Sequence, residues 1–144
     1  MKMLNQVKIT FASRSVNEGF ARAALAAFLV QLDPTVPQLA DLKTAVSEAV
    51  TNCIVHAYPE GIGLVTLTAA LYEGGVVRIT VTDRGVGIAD VEKAMQPMYT
   101  TGDPEERAGL GFAVMQSFMD KIHVSSRPGR GTRVTLTKRL DTRR

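Results

Sequence analysis

The sequence predicts an α+β fold: a two-layer sandwich in which one mixed β-sheet is covered on one face by helices. Apolar residues make up 45% of the 144 residues, which is enough for one hydrophobic core. The charged fraction is 22%, and no low-complexity run argues for disorder. The elements follow the order β-α-α-β-β-α-loop-α-β-β, without the regular alternation of a doubly wound sheet. We therefore expect a single domain over residues 1–144.

The N-terminal part of the chain predicts one strand and two helices. Val7–Phe11 alternates apolar and polar residues, as a short strand does. Ser15–Glu18 has the spacing of a capping box, and a helix over Val16–Leu32 follows it. An Asp-Pro pair ends this helix, and a second helix is predicted over Gln38–Ala57 because its apolar residues form one stripe.

The rest of the chain predicts four strands, two helices and a loop. A short helix is expected near Asp90–Met95 and a longer one from Gly109 to about Asp120. Between them, Gln96–Arg107 contains Pro, Gly, Thr and charge without a period, which indicates a mobile loop. The strands are predicted in two hairpins, over Leu64–Tyr72, Val76–Thr82, Ile122–Ser126 and Thr132–Thr137.

Several classes of protein are excluded by composition. The N-terminus has no apolar region of a secretory signal, and the best apolar stretch, Phe20–Leu32, is too short for a bilayer. The single cysteine, Cys53, cannot form an internal disulfide. The net charge of +3 comes largely from late basic residues, which indicate a solvated strand face and tail or contact with an acidic protein. We expect a cytoplasmic protein that contacts neither membrane nor nucleic acid directly.

The first group of residues that could bind a ligand or catalyse a reaction lies on the second helix. Glu48, Asn52 and His56 follow at intervals of four, so they share one helix face. The plain interpretation is an exposed polar face, but an amide at its centre is unusual there. Asn52 can offer an oxygen to Mg²⁺, and Glu48 can orient or deprotonate a hydroxyl. His56, at the helix end, is more consistent with a structural role.

The second group is the turn Asp83-Arg84-Gly85-Val86-Gly87, directly after a strand. Gly85 and Gly87 let the backbone bend and approach a ligand closely. A carboxylate at Asp83 can accept a hydrogen bond from the exocyclic amino group of adenine. The alternative is an ordinary Asp-Gly turn.

The third group is Arg107-Ala108-Gly109-Leu110-Gly111, at the predicted start of a helix. Free amides at a helix start bind phosphate, and Arg107 adds a positive charge. The alternative is a flexible hinge. Neither glycine pair completes a G-x-G-x-x-G sequence and no P-loop sequence occurs, so both of those nucleotide-binding folds are excluded.

Together these groups carry a family resemblance. Glu48-x3-Asn52-x3-His56-Ala57, Asp83-x-Gly85-x-Gly87 and Gly109-x-Gly111 resemble the N, G1 and G2 boxes of the GHKL ATPases, which include gyrase and histidine-kinase catalytic domains. Within that superfamily the chain is similar to the small serine kinases that act as bacterial anti-sigma factors. The resemblance implies the ATP-binding Bergerat fold. Ala108 departs from the pattern, since serine is expected there.

The resemblance implies a role for each matched residue. Asn52 would bind Mg²⁺, Glu48 would act as the general base, and Arg107 would meet the γ-phosphate of ATP. Asp83 would bind adenine with Thr132, although a β-branched residue such as Thr132 is also typical of a plain strand. Further contacts with ATP or ADP are implied for Gly85, Gly87, Thr100, Thr101, Gly109, Leu110 and Gly111.

The same resemblance implies partners. Arg22, on the first helix and outside the pocket, would meet partner proteins, or it would be an ordinary solvated arginine. The expected function is an anti-sigma factor and protein-serine kinase, a homodimer that sequesters a sporulation sigma factor of RNA polymerase. It would phosphorylate an anti-anti-sigma protein on serine. The alternatives are a histidine-kinase catalytic domain, a nucleotide-gated binding module without phosphotransfer, and a related stress-response kinase.

Overall fold

The computed structural model describes residues 1–95 and 104–141, with backbone alone over 104–109. Its strands are β1 (Met3–Ala12), β2 (Leu64–Tyr72), β3 (Val76–Asp83), β4 (Lys121–Arg127) and β5 (Gly131–Arg139). Its helices are α1 (Val16–Leu29), α2 (Val36–Asn52), α3 (Val91–Met95) and α4 (Pro104–Phe118). No helix in this part of the chain is long and apolar enough to cross a bilayer.

The five strands form one sheet in the order β1-β2-β3-β5-β4, with the helices on one face. The predicted α+β sandwich is confirmed, but the prediction of a mixed sheet is wrong, because all four pairings are antiparallel. Tight turns fix two of these pairings. Between β1 and β2 the chain crosses the sheet twice, along α1 and back along α2, and so returns to the end from which it left. That return makes β2 antiparallel to β1.

The core lies between the sheet and the helices, and α2 is the main helical contributor. Its buried stripe is Leu42, Ala45, Val46, Ala49 and Val50, as the apolar period predicts. Alternate residues of β2 and β3, such as Leu67 and Ile79, are buried against it. The opposite face of the sheet carries threonines and basic residues instead, so only one face of the sheet contributes to the core.

The capping box is displaced from its predicted place. Ser15 makes no capping hydrogen bond with its side chain. The box forms at α2 instead, where Thr35 Oγ1 accepts from the Gln38 N–H at 3.2 Å and Gln38 Oε1 accepts from the Thr35 N–H at 2.9 Å. Glu18 is unavailable to a box because its carboxylate accepts a short hydrogen bond from Ser47 Oγ on α2. A tertiary contact therefore replaces the local one.

Two helix boundaries shape the site. The regular part of α2 ends at Asn52 and continues as a π-helical turn over Cys53–Ala57, a feature often found at functional sites. The last helix begins at Pro104, five residues before the predicted start at Gly109. Proline suits a first turn because its missing N–H is not needed there. The part of the predicted loop before Pro104, residues 96–103, lies outside the described residues.

Candidate nucleotide-binding site

A cavity opens where the end of α2, the ends of β3 and β5, and α4 meet. Because β3 and β5 are paired, Asp83 lies directly opposite Thr132 in the register. Side chains from all four elements reach the cavity, which is lined by Asn52, Cys53, His56, Asp83, Gly87, Phe112 and Thr132. The fold thus brings two of the predicted groups, the polar face of α2 and the Asp83 turn, to one place.

Asp83 is the buried acidic group of this cavity, with 5% of its surface exposed. A buried carboxylate needs hydrogen-bond donors, and both oxygens have one. Oδ1 accepts from the Gly85 N–H at 2.9 Å, and Oδ2 accepts from Cys53 Sγ at 3.3 Å. The carboxylate is therefore held in one orientation at the cavity wall.

Thr132 is held beside Asp83 by a small hydroxyl network. Its Oγ1 lies 2.7 Å from Ser126 Oγ. Ser126 Oγ also accepts from the Ile88 N–H at 2.7 Å and donates to the Gly131 carbonyl at 3.0 Å. Either hydroxyl can be the donor in the Ser126–Thr132 hydrogen bond, and the Thr132 hydroxyl keeps a further hydrogen-bonding position for a ligand. Thr132 is thus both a strand residue and a wall of the cavity.

The two glycines of the Asp83 turn are required by close packing. A Cβ at Gly85 would overlap the carbonyl oxygen of Ala57. A Cβ at Gly87, where φ is +76°, would overlap the carbonyl oxygen of Arg127. The turn is therefore clamped between the end of α2 and the β4–β5 turn. Only glycine permits both approaches.

Tyr58 stabilises the same turn through two hydrogen bonds. Its hydroxyl donates to the Leu64 carbonyl at 2.7 Å and accepts from the Arg84 N–H at 2.8 Å. Desolvation by burial is the main cause that raises the pKa of Tyr58, so the phenol stays protonated and keeps donating at neutral pH. This one side chain links the end of α2, the start of β2 and the residue after Asp83.

The other end of the site is formed by Glu48 and Asn52, on successive turns of α2. Gly111 of α4 packs directly against them: a Cβ there would lie 3.1 Å from Asn52 Nδ2 and 3.2 Å from Glu48 Oε2. Asn52 Nδ2 is buried and has no hydrogen-bond partner among the described residues. Nδ2 is an N–H donor, so the ligand atom that suits it is an acceptor such as a phosphate oxygen.

These residues fit Mg²⁺ held together with phosphates. Mg²⁺ takes oxygen ligands, keeps several waters and needs one or two protein groups when phosphates supply the others. Asn52 offers one such oxygen. Among residues 1–95 and 104–141 no group of three or more His, Cys, Asp or Glu side chains is arranged to hold a metal alone. The donor set thus suits a cation that arrives with a nucleotide.

Only some of the residues predicted to bind phosphate lie within the described part of the chain. Thr100 and Thr101 lie outside the described residues, as does the side chain of Arg107. Gly109, Leu110 and Gly111 lie inside α4, so the prediction that they begin a helix and present free amides is wrong. Within a helix those amides bond to carbonyls four residues earlier. Leu110 itself is 41% exposed.

Arg22 lies outside the cavity, as predicted, whereas His56 lines it. Arg22 pairs with Glu18 at 3.6 Å, and it lines a groove between α1 and α2 that also includes Lys43, Ser47 and Glu48. Glu48 therefore lines this groove, although it does not line the cavity that contains Asp83. His56, expected to be structural, lies in the π-helical turn and lines the cavity.

Sequence reasoning missed three residues of the site. Cys53 belongs to the apolar stripe of α2, and only its position directly after Asn52 hinted at the cavity. Tyr58 follows the predicted end of the second helix, and Ser126 ends a predicted strand, so neither pattern indicates a site. The signal that finds all three is strand register together with the π-helical turn, and neither is visible in a single sequence.

Comparisons with known proteins agree with this geometry. The model of the histidine kinase-like ATPase domain matches residues 11–138. An anti-sigma F factor of Thermoanaerobacter sp. (strain X514) is 55% identical over 138 residues, 96% of this chain and 96% of that protein. An anti-sigma F factor of Geobacillus kaustophilus is 47% identical over 138 residues, 96% of this chain and 94% of that protein.

Solved structures show the same fold. The RsbU and RsbW domains of a Mycobacterium tuberculosis protein align with a TM-score of 0.69 and 25% identity, over 95% of this chain and 33% of that one. The histidine kinase domain of a blue-light-activated kinase from Erythrobacter litoralis aligns with a TM-score of 0.58 and 21% identity, over 85% of this chain and 61% of that one.

Proposed function

Because this chain belongs to the histidine kinase-like ATPase family and, within it, to the anti-sigma F factors, we propose that it is a protein-serine kinase as well. It sequesters a sporulation sigma factor of the sigma F type. It also transfers the γ-phosphate of ATP to a serine of an anti-anti-sigma protein. The observation that carries the proposal is that Asn52 and Asp83 line one cavity, while Gly111 of α4 packs against both Asn52 and Glu48 on the preceding turn of α2.

The base of ATP would bind at the Asp83 end. The carboxylate of Asp83 accepts from the exocyclic amino group of adenine, and the Thr132 hydroxyl is a second contact. Both groups are already held by hydrogen bonds to neighbouring residues, so they need little ordering on binding. This arrangement supports a site that selects adenine nucleotides.

The phosphates would lie toward Glu48 and Asn52. Asn52 would hold Mg²⁺ through its side-chain oxygen, and the ion supplies charge neutralisation on the phosphates when it is bound. Glu48 would accept the proton of the substrate serine as that hydroxyl attacks. Arg107 would add positive charge, and Thr100, Thr101 and the glycines of α4 would complete the phosphate contacts. These roles rest on the family resemblance.

The partner proteins would approach along the groove between α1 and α2. Arg22 and Lys43 line that groove together with Glu48. A serine presented there meets the base directly, so docking and catalysis use neighbouring surfaces. We further propose that the protein is a cytoplasmic homodimer built from one such domain per chain; light scattering on the purified protein measures its mass.

Phosphotransfer is tested with γ-labelled ATP and Mg²⁺, with and without an anti-anti-sigma protein as the acceptor. Label on a serine of that protein, lost with Asn52→Ala, is the expected result. Tight Mg-ATP binding without transfer would instead favour a nucleotide-gated binding module. Label on histidine would favour a histidine-kinase catalytic domain. Binding of a stress-response sigma factor in place of a sporulation one would contradict the proposed partner but not the proposed kinase activity.

A further inference from the structure

Cys53 occupies a special position between the two ends of the site. It follows Asn52 in the chain, at the first residue of the π-helical turn, and only 4% of its surface is exposed. Its Sγ lies 3.3 Å from Asp83 Oδ2. One helix end therefore supplies both the amide proposed to hold the metal and a thiol that contacts the carboxylate proposed to read the base.

The thiol acts as a donor in this contact. Cys53 Sγ lies within hydrogen-bond distance of Asp83 Oδ2, and a carboxylate oxygen can only accept, so the S–H group donates to it. An S–H group is a weak donor, but a charged acceptor strengthens the bond.

With the bond from Cys53 in place, Asp83 keeps hydrogen-bond acceptor positions for a ligand in the cavity. Oδ1 is already occupied by the Gly85 N–H, so the two donors fix the plane of the carboxylate. A carboxylate has about four acceptor positions, so roughly two remain for a ligand. Asp83 also lines the cavity, where Thr132 faces it across the strand pair. The acceptor positions left over are those that a bound base can reach.

We propose that Cys53 is a positioning residue for base recognition: its S–H orients the Asp83 carboxylate toward the 6-amino group of adenine. Cys53 thereby strengthens the preference for 6-aminopurine over 6-oxopurine nucleotides. The inference rests on the proposed function, because it requires that Asp83 reads the base. It adds a determinant of base selectivity that lies on α2 and not on the Asp83 turn.

The test compares two nucleotides that differ at one position of the base. ADP carries an amino group at position 6 of the purine, and inosine diphosphate carries a carbonyl oxygen. Dissociation constants for both are measured by calorimetry on the full chain and on Cys53→Ala, Cys53→Ser and Asp83→Asn. We expect Cys53→Ala to weaken ADP binding about fivefold. Binding of inosine diphosphate should change less than twofold, so the preference falls by at least about 2.5-fold.

The serine variant separates positioning from packing, because its hydroxyl donates where alanine cannot. We expect Cys53→Ser to retain at least half of the wild-type preference for ADP. Val50→Ala is the matched control: Val50 is a fully buried core residue of the same helix, away from the cavity lining. It should lower the melting temperature and leave the preference unchanged. In an Asp83→Asn background, Cys53→Ala should have no further effect on the preference.

Two results would overturn the inference. One is an unchanged ADP preference in Cys53→Ala; the other is an equal loss of preference in Cys53→Ser and Cys53→Ala. If the wild type prefers ADP and Asp83→Asn abolishes that preference, either result removes only the role of Cys53. If the wild type binds neither nucleotide, or Asp83→Asn leaves the preference intact, the base-reading role of Asp83 in the proposed function fails as well.

Discussion

The two ends of the candidate site differ in how completely their polar groups are paired. At the base end, both oxygens of Asp83 accept hydrogen bonds, the Thr132 hydroxyl contacts Ser126, and Tyr58 bonds to two backbone groups. At the metal end, Asn52 Nδ2 is buried without a hydrogen-bond partner in the described part of the chain. One end is formed by the fold alone, and the other is incomplete.

This difference predicts how each end of the site would respond to a bound nucleotide. A paired end is ordered in advance, so it binds the base with little entropic cost. An unpaired buried N–H group costs about 1–3 kcal/mol, and a phosphate oxygen of the nucleotide that accepts from Asn52 Nδ2 recovers that energy. We therefore expect the base to be recognised in the same way in ATP and ADP. The metal end should distinguish the two nucleotides.

The largest effect is expected from Glu48→Gln, a change confined to the metal end. Loss of a general base lowers the rate of proton transfer by about 10²–10⁴-fold, so we expect phosphotransfer to fall at least about 100-fold. ADP binding should change little, because the base end is untouched. Quench-flow with labelled ATP measures the rate, and calorimetry measures the affinity. A normal transfer rate would contradict the assignment of Glu48 as the base.

A large effect is also expected at the base end from Gly85→Ala. The new Cβ would overlap the Ala57 carbonyl, and overpacking of this kind costs about 1–3 kcal/mol of unfolding free energy. ADP affinity should fall with it, because the Asp83 turn must move. Gly61→Ala is the matched control, since no atom lies within 4 Å of a Cβ at that position. Equal behaviour of the two variants in urea unfolding and ADP titration would argue against a clamped turn.

A smaller effect is expected from Tyr58→Phe. Removing the hydroxyl breaks the bonds to Leu64 and Arg84, and a hydrogen bond contributes about 1 kcal/mol, or about fivefold in affinity. ADP binding should weaken by that factor. Tyr72→Phe removes a hydroxyl that accepts from Arg78 on the exposed side of the sheet, and it should leave ADP binding unchanged. Equal ADP affinities in both variants would show that Tyr58 does not hold the turn.

The smallest effect concerns stability at alkaline pH. Burial raises the pKa of Cys53 above its ordinary value of 9.0, so the thiol can ionise in the unfolded chain before it can do so in the folded one. Its contribution is complete below pH 9.0 and is lost as pH rises further. The unfolding free energy should therefore fall as the pH rises from 8 to 9.5, and ionisation of this group contributes to that fall. Urea unfolding of Cys53→Ala should show a shallower decline, and an equal decline would contradict the prediction.

The parts of the fold that were predictable are those with a strong local period. The stripe on α2 and the β2–β3 hairpin carry their own signals, so their types and approximate bounds follow from the sequence. The direction of strand pairing does not, because it depends on where α1 and α2 return the chain. The capping box failed for a similar reason: Glu18 bonds to Ser47, which is distant in the sequence.

The candidate site was predictable where chemistry and spacing coincide. Glu48, Asn52 and Asp83 are recognisable because an amide on a helix face and a carboxylate before two glycines are unusual outside a site. Cys53 and Ser126 are not, since their roles arise only when β3, β5 and the end of α2 meet. The predicted start of α4 at Gly109 lies too late in the chain, because glycine indicates a helix start less strongly than Pro104 does.

The most direct test measures Mg²⁺ dependence of nucleotide binding in the wild type and in Asn52→Ala. If the metal end is completed by the ligand, Mg²⁺ should strengthen ATP binding by the wild type at least about tenfold and have almost no effect on the variant. ADP without Mg²⁺ should bind the variant at most about fivefold more weakly, because the base end is intact and only the hydrogen bond from Asn52 Nδ2 is lost. Equal strengthening by Mg²⁺ in both proteins would contradict the division of the site into a preformed base end and a ligand-completed metal end.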